Sequence, residues 1–80
     1  MSDNKKRYDD VFCDVFETEV SELNEHFTSE EVEAWDSIAH MNLIAALEDE
    51  FEIEFEGDDL MELQSYQKGL ELIAKYGITF

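Results

Sequence analysis

From Tyr8 to Gln67 the chain holds not one lysine or arginine, yet all but two of its 22 acidic residues fall in that stretch. The five basic residues stand outside it, Lys5, Lys6 and Arg7 before and Lys68 and Lys75 after, for a formal net charge of -17. Most carboxylates therefore have no cation to pair with, and like-charge repulsion opposes any compact state. What holds such a chain together has to be apolar packing. The sequence can supply it: 44% of the residues are hydrophobic, with six Phe, three Tyr and one Trp, a content that a disordered acidic tail lacks. Eighty residues suffice for one domain around one core of marginal size.

The same field selects partners. It repels phosphate backbones and anionic membranes and attracts basic protein surfaces, so nucleic acid is not an expected partner. No run of about twenty apolar residues offers a membrane span, and "MSDNKKRYDD" lacks the apolar stretch of a secretory signal. Cys13 is alone, which excludes an internal disulfide or a cysteine metal cluster. The expectation is a cytoplasmic, monomeric protein. The Cys13 thiol reads as a partly buried filler, its pKa raised by the surrounding acids.

With no proline and three glycines, and with apolar residues recurring at three and four residue intervals, helices are favoured. Tyr8, Val11, Phe12, Val15 and Phe16 form one such stripe and predict a first helix from Lys5 to Val20. The pattern then loosens from Ser21 to Trp35 into a long loop, which needs apolar anchors; Leu23, Phe27, Val32 and Trp35 are the candidates. Within it "TSEE" reads as a capped turn, and His26 as an exposed loop residue. Asp36 is placed to cap a second helix whose first residue is Ser37. Ile38, Met41, Ile44, Ala45, Leu47 and Phe51 would face the core, with Ala39, Asn42, Ala46 and Asp49 opposite.

"FEIEF" alternates like a strand, but a lone strand needs a partner, so an extended exit from the second helix is expected. Asp58 or Asp59 would cap a short third helix ending at Leu63. Ser65 would cap a fourth from Tyr66 to Tyr76, with Gly77 as its stop and Leu70, Ile73, Tyr66 and Tyr76 inward. Gly69 should cost that helix about 1 kcal/mol relative to alanine. The predicted architecture is an all-α four-helix bundle with a short third helix and a long first loop.

Catalytic machinery is hard to find in this sequence. His26, His40 and Cys13 have no metal-ligand spacing, no glycine-rich phosphate loop is present, and "EFEGDDLMEL" lacks the ordered ligand positions of an EF-hand. His40 is the one candidate base near Ser37. An enzyme is not expected, and no metal site is assigned. What remains is Ser37, a hydroxyl at the positive end of a helix with free backbone amides around it, a place that favours an attached phosphate. By itself the same hydroxyl also reads as a second cap beside Asp36.

The stretch "WDSIAHMNLIAALEDEFEIEF" resembles the core motif of acyl carrier proteins, in which an Asp-Ser-Leu/Ile triplet starts the second helix and an acidic "ALEDEF"-like segment ends it. The final "SYQKGLELIAKYG" is similar in its hydrophobic spacing to the last helix of that family, so the resemblance covers nearly the whole chain. It implies that a separate, magnesium-dependent phosphopantetheinyl transferase esterifies Ser37 with 4'-phosphopantetheine from coenzyme A. The arm's terminal thiol would then carry an acyl or aminoacyl group as a thioester to acyl-loading and acyl-transfer enzymes with basic docking surfaces. Asp36 and His40 flank that attachment point, His40 either hydrogen-bonding the arm's phosphate or lying incidentally on the helix surface. Glu48, Asp49 and Glu50 are the docking candidates, and Ile44 and Leu47 either shelter a short acyl chain or are simply core. Carriers of fatty acid synthesis usually place acids in the first half of the second helix, where this chain has Ala39, His40 and Asn42. "WDSIAHMNL" looks closer to stand-alone carriers of polyketide, nonribosomal-peptide or surface-polysaccharide pathways.

The rival reading is an unmodified acidic adaptor for basic proteins. Under either, the charge imbalance has a measurable consequence: millimolar magnesium or calcium should raise the melting temperature by screening the repulsion, and an unchanged melting point would remove that account.

Overall fold

The predicted apolar stripe of the first helix forms, and the rest of the chain folds onto it. A computed structural model describes residues 3–80, with helix α1 at Asp3–Phe16, a single 3-10 turn at Val20–Glu22, α2 at Ser37–Phe51, α3 at Gly57–Glu62 and α4 at Tyr66–Lys75. Among the described residues no strand forms beyond one bridged pair, Thr28 with Ser65. The all-α four-helix expectation, with its short third helix and long first loop, holds.

Helix α1 lies earlier than the pattern predicts, beginning by Asp3 and ending at Phe16 instead of Val20. It stops because Glu17 adopts a left-handed conformation (φ 51°) and the Thr18 amide donates back to the Cys13 carbonyl at 3.1 Å, the six-to-one bond of a Schellman cap. Helix α2 ends the same way, with Glu52 at φ 54° and Ile53 N–H donating to the Glu48 carbonyl at 3.1 Å. Glutamate in place of the usual glycine hides both stops from a sequence reading. After α2, residues 53–56 run without regular structure, the expected extended exit.

The core is built around aromatic rings. Phe12 is fully buried and its ring centroid lies within 4.8–5.9 Å of those of Tyr8, Phe16, Phe27, Trp35 and Tyr66. Such pairs contribute about 0.5–1.5 kcal/mol each beyond their area. Phe27 and Trp35 belong to the long loop, so this cluster pins both its middle and its end; Leu23 and Val32 pack against it half-buried. The loop is also tied to the α3–α4 junction, with Ser29 N–H donating to the Gln64 carbonyl (2.8 Å) and Tyr66 N–H to that of Phe27 (2.9 Å). The expected "TSEE" turn forms, Glu31 N–H donating to Thr28 Oγ1 at 3.2 Å.

Helix α2 is rotated from the predicted orientation. Leu43 and Leu47 are fully buried and Ile44 and Phe51 nearly so, whereas Ile38 and Met41 are 74% and 60% exposed and Ala45 is exposed. Ala39 and Ala46, expected on the far side, pack against the core. The buried arc is thus centred about 100°, one residue's turn, from the predicted one. Apolar residues occupy most of the first eleven positions of α2, so periodicity alone underdetermines which of them meets α1.

The two acids that become buried are Asp9 and Asp59, and each is neutralised by a lysine from outside the anionic middle. Asp9 accepts from Lys5 Nζ at 3.1 Å and from the Tyr66 hydroxyl. Asp59 accepts from Lys75 Nζ at 2.8 Å and from the Tyr76 hydroxyl, which in turn accepts from Glu56 N–H at 3.0 Å. Asp59 is therefore not a cap: α3 starts at Gly57 behind Glu56, without a side-chain cap, and its aspartate turns inward to α4. Ser65 does cap α4, accepting from Lys68 N–H at 3.0 Å, and Gly77 follows its end at φ 94°. Of the residues expected to face inward from α4, Tyr66 and Ile73 are buried and Leu70 and Tyr76 are half-buried; Leu72 joins them in the core. Cys13 is half-buried, and burial followed by the charges of Asp10, Asp9, Asp14 and Glu19 raises its thiol's pKa.

Gly69 has a packing reason that propensity does not reveal. A Cβ there would stand 2.1 Å from Tyr8 Oη and 2.9 Å from Leu63 Cδ1, while Tyr8 Oη donates to the Tyr66 carbonyl at 2.6 Å. Glycine lets α4 sit directly on the Tyr8 hydroxyl. Gly69→Ala should therefore destabilise the fold by about 1–3 kcal/mol through overpacking, despite the gain of about 1 kcal/mol in helix propensity. Urea unfolding measures the sign, and an unchanged or stabilised variant would refute this account of the contact.

Candidate functional site

Asp36 caps α2 as predicted: its backbone is extended, and its Oδ1 accepts from Ala39 N–H at 2.8 Å. That fixes the helix start and leaves Ser37 as its first residue, exposed to solvent. The first turn of a helix has amides without intrahelical partners and a positive end of the macrodipole. Asp36 engages only one of those amides.

Beside Ser37 opens a cleft of about 710 Å³, walled by Trp35 and Asp36 from the loop end, His40 and Met41 from α2, and Leu60 and Met61 from α3. Its walls are mostly apolar. Three of the four large hydrophobic side chains left exposed among the described residues, Ile38, Met41 and Met61, belong to this region, Ile38 being next to Ser37 in the chain. The ionisable residues lining the cleft are Asp36 and His40, so the lining of the cleft is less acidic than the chain as a whole.

His40 joins the walls together. Its Nδ1 accepts from the Trp35 indole N–H at 3.1 Å, and the two rings lie side by side, centroids 6.4 Å apart, with an interplanar angle of 28°. Because an indole nitrogen can only donate, Nδ1 carries no proton, the ring is neutral and Nε2 is the protonated nitrogen. That N–H donates to the Leu60 carbonyl in α3 at 2.8 Å. Both ring nitrogens of His40 are thus engaged by the protein. The sequence draws attention to Trp35 and His40, but the share of α3 in their link depends on Leu60, twenty positions beyond His40.

The expected docking acids sit at the far end of α2 in different states. Glu48 is half-buried, and its carboxylate accepts from Phe55 N–H at 2.9 Å, so it fastens the exit segment. Glu50 lies 3.6 Å from the Arg7 guanidinium, which also donates to the Glu50 carbonyl and lies over the Phe51 ring. Asp49 is exposed. Ile44 and Leu47 are inside the core and do not line the cleft. His26 is exposed on the loop, 3.7 Å from Glu25.

The family model of the phosphopantetheine attachment site matches residues 10–73, from within α1 to within α4. The chain belongs to this carrier family. No curated protein matches it. Domains of the family bind 4'-phosphopantetheine covalently on a serine, and the described serines of this carrier differ sharply in how they fit such a group. Ser65 Oγ is taken up in capping α4, Ser29 is half-buried against the α3–α4 junction, and Ser21 lies in the short 3-10 turn. Ser37 combines exposure, a fifteen-residue helix behind it and an adjoining apolar cleft. No helix of the described chain is long and apolar enough to cross a membrane.

The carrier's α3 wall depends on Asp59, whose carboxyl the Lys75 and Tyr76 hydrogen bonds hold below its ordinary value of 3.8. A carboxyl depressed on folding contributes stability that is complete above the unfolded value and is lost as pH falls through the folded one. Urea midpoints of the wild type and Asp59→Asn should therefore differ most near neutrality and converge below about pH 4. A gap that stays constant from pH 7 to 3 would show that the ion pair does not carry the effect.

Proposed function

We propose that the protein is a carrier in which Ser37 bears the 4'-phosphopantetheine arm, and that it ferries acyl or aminoacyl thioesters between biosynthetic enzymes. The observation that carries this reading is the exposed Ser37 hydroxyl at the capped start of α2, inside the region matched by the family. A phosphodiester at a helix start is stabilised by the amides and the dipole there. What the arm supplies is a reactive thiol on a long tether; what the chain supplies is a rigid base and a surface that partners can grip. Tethering raises the effective concentration of the bound group at whichever enzyme docks. No catalytic step is assigned to the chain itself.

Two kinds of surface favour docking. Asp49, flanked by Glu48 and Glu50, offers negative charge to basic partner faces and speeds encounter with them. Closer to Ser37 the exposed Ile38, Met41 and Met61 offer apolar contact, which fits a transferase and acyl-handling enzymes that must close over the hydroxyl. A short acyl chain finds apolar surface in the open cleft, and it reaches Ile44 and Leu47 only if the core parts. Partners, pathway and a cytoplasmic setting belong to this proposal. So does the contrast with an unmodified adaptor, for which the docking charges alone would matter.

Intact-mass measurement after co-expression with a broad-range phosphopantetheinyl transferase decides between them. The carrier gains the mass of one arm, keeps the gain in Ser21→Ala and Ser29→Ala, and loses it in Ser37→Ala. An unmodified wild-type chain would support the adaptor, and a gain that survives Ser37→Ala would move the attachment elsewhere.

A further inference from the structure

His40 stands at the meeting point of three elements. Trp35 reaches it from the end of the loop, its own backbone belongs to α2, and the Leu60 carbonyl reaches it from α3. Of the six residues of α3 only Asp59 is buried, facing α4 through Lys75 and Tyr76, while Leu60 packs half-buried against the core and Leu63, just past the helix, is fully buried. The His40 Nε2–H bond to Leu60 is thus a direct polar tie between α3 and α2, and it depends on an imidazole that also accepts from Trp35.

That acceptor role exists only in the neutral ring. A second proton turns Nδ1 into a donor facing the donor of Trp35, and one of the two must move. Trp35 is wedged among Phe12, Phe16 and Phe27, with ring centroids 5.9, 5.0 and 6.0 Å away. His40 is half-exposed at the rim of the cleft, so the imidazole is the group free to turn. As it turns, the Leu60 carbonyl loses its donor. The charged groups on the elements packed against the ring are Asp36, the other ionisable residue lining the cleft, and on α3 the exposed acids Asp58 and Glu62, with Asp59 engaged by Lys75.

We propose that His40 is a positioning residue and a proton-operated joint: neutral, it holds α3 and the Trp35 end of the loop together beside Ser37, and protonated, it releases α3 and opens the cleft. The consequence for an attached arm rests on the Ser37 reading; the joint itself does not. A fall in local pH, or a partner that places a carboxylate or a proton donor over His40 on docking, would then loosen the wall of the cleft where cargo is exchanged.

Trp35 is the only tryptophan in the chain, so its fluorescence reports on the joint directly. Titrating from pH 8 to 5 should give a one-proton step in that fluorescence. The step should vanish in His40→Gln, whose amide can accept from Trp35 and donate to Leu60 without titrating, and should persist in His26→Gln. Amide exchange at residues 60–63, corrected for intrinsic rates, should be roughly five- to tenfold faster at pH 5.5 than at pH 8 in the wild type, the size expected for losing one or two hydrogen bonds. In His40→Gln it should stay slow at both. Running the same titration on Ser37→Ala separates the two proposals, because the step should be unchanged there whether or not Ser37 bears an arm. A fluorescence step that survives His40→Gln, or α3 exchange in the wild type that ignores pH, would overturn the joint.

Discussion

The packing of Phe12 against five other aromatic rings is the contact on which this structure depends. A chain with a formal charge of -17 gains little from ion pairing and is pushed apart by its own field. Burial of large rings is the strongest opposing force available, at about 25 cal/mol for each Å² of apolar surface removed from water. Because Phe27 and Trp35 come from the loop, the same cluster that forms the core also positions the residue next to Asp36. The start of α2, and with it the exposed Ser37, is set by aromatic packing two residues away.

Scarce cations are placed where they matter most. Lys5 and Lys75 come from the two ends of the chain, and each meets a buried aspartate, Asp9 and Asp59. A buried carboxylate without such a partner is strongly destabilising, so these pairs permit burial more than they add stability. Each is completed by a tyrosine, Tyr66 or Tyr76, that also faces the core. Burial, then the neighbouring Asp9, raises the pKa of the Tyr66 hydroxyl, which keeps it a donor to that carboxylate. The Asp59 cluster ties α3 to α4 and the His40 imidazole ties it to α2, while Leu60 and Leu63 pack toward the core.

Much of this was legible in the residues. Asp36 and Ser65 are short polar side chains just ahead of apolar-patterned runs, and both cap through their own oxygens; Gly77 follows α4 in the left-handed region. Phe27 and Trp35 stand out as the large rings of an otherwise polar loop, and both anchor it. These features are local: a cap, a stop or an anchor needs only its immediate neighbours to be recognised, so the helix order, the long loop and the position of Ser37 follow from the chain read in order.

Tertiary contact decided the remainder. Nothing in a helix as apolar as the start of α2 says whether Met41 or Leu43 meets α1; the shape of the partner surface does, and it buries Leu43 and leaves Ile38 and Met41 to solvent. Asp9 and Asp59 read as two acids among 22 until folding brings lysines and tyrosines from distant positions onto them. Gly69 reads as a weak spot in α4 until Tyr8 is seen lying against it. His40 reads as a surface residue until Trp35 and Leu60 close on its two nitrogens. The sequence by itself determined where α2 and α4 begin and which hydroxyl would stand at the tip of α2, because those choices are made within a single turn. Only the packed structure decided which faces were buried and which polar groups met, because those depend on surfaces that exist only once the helices have come together.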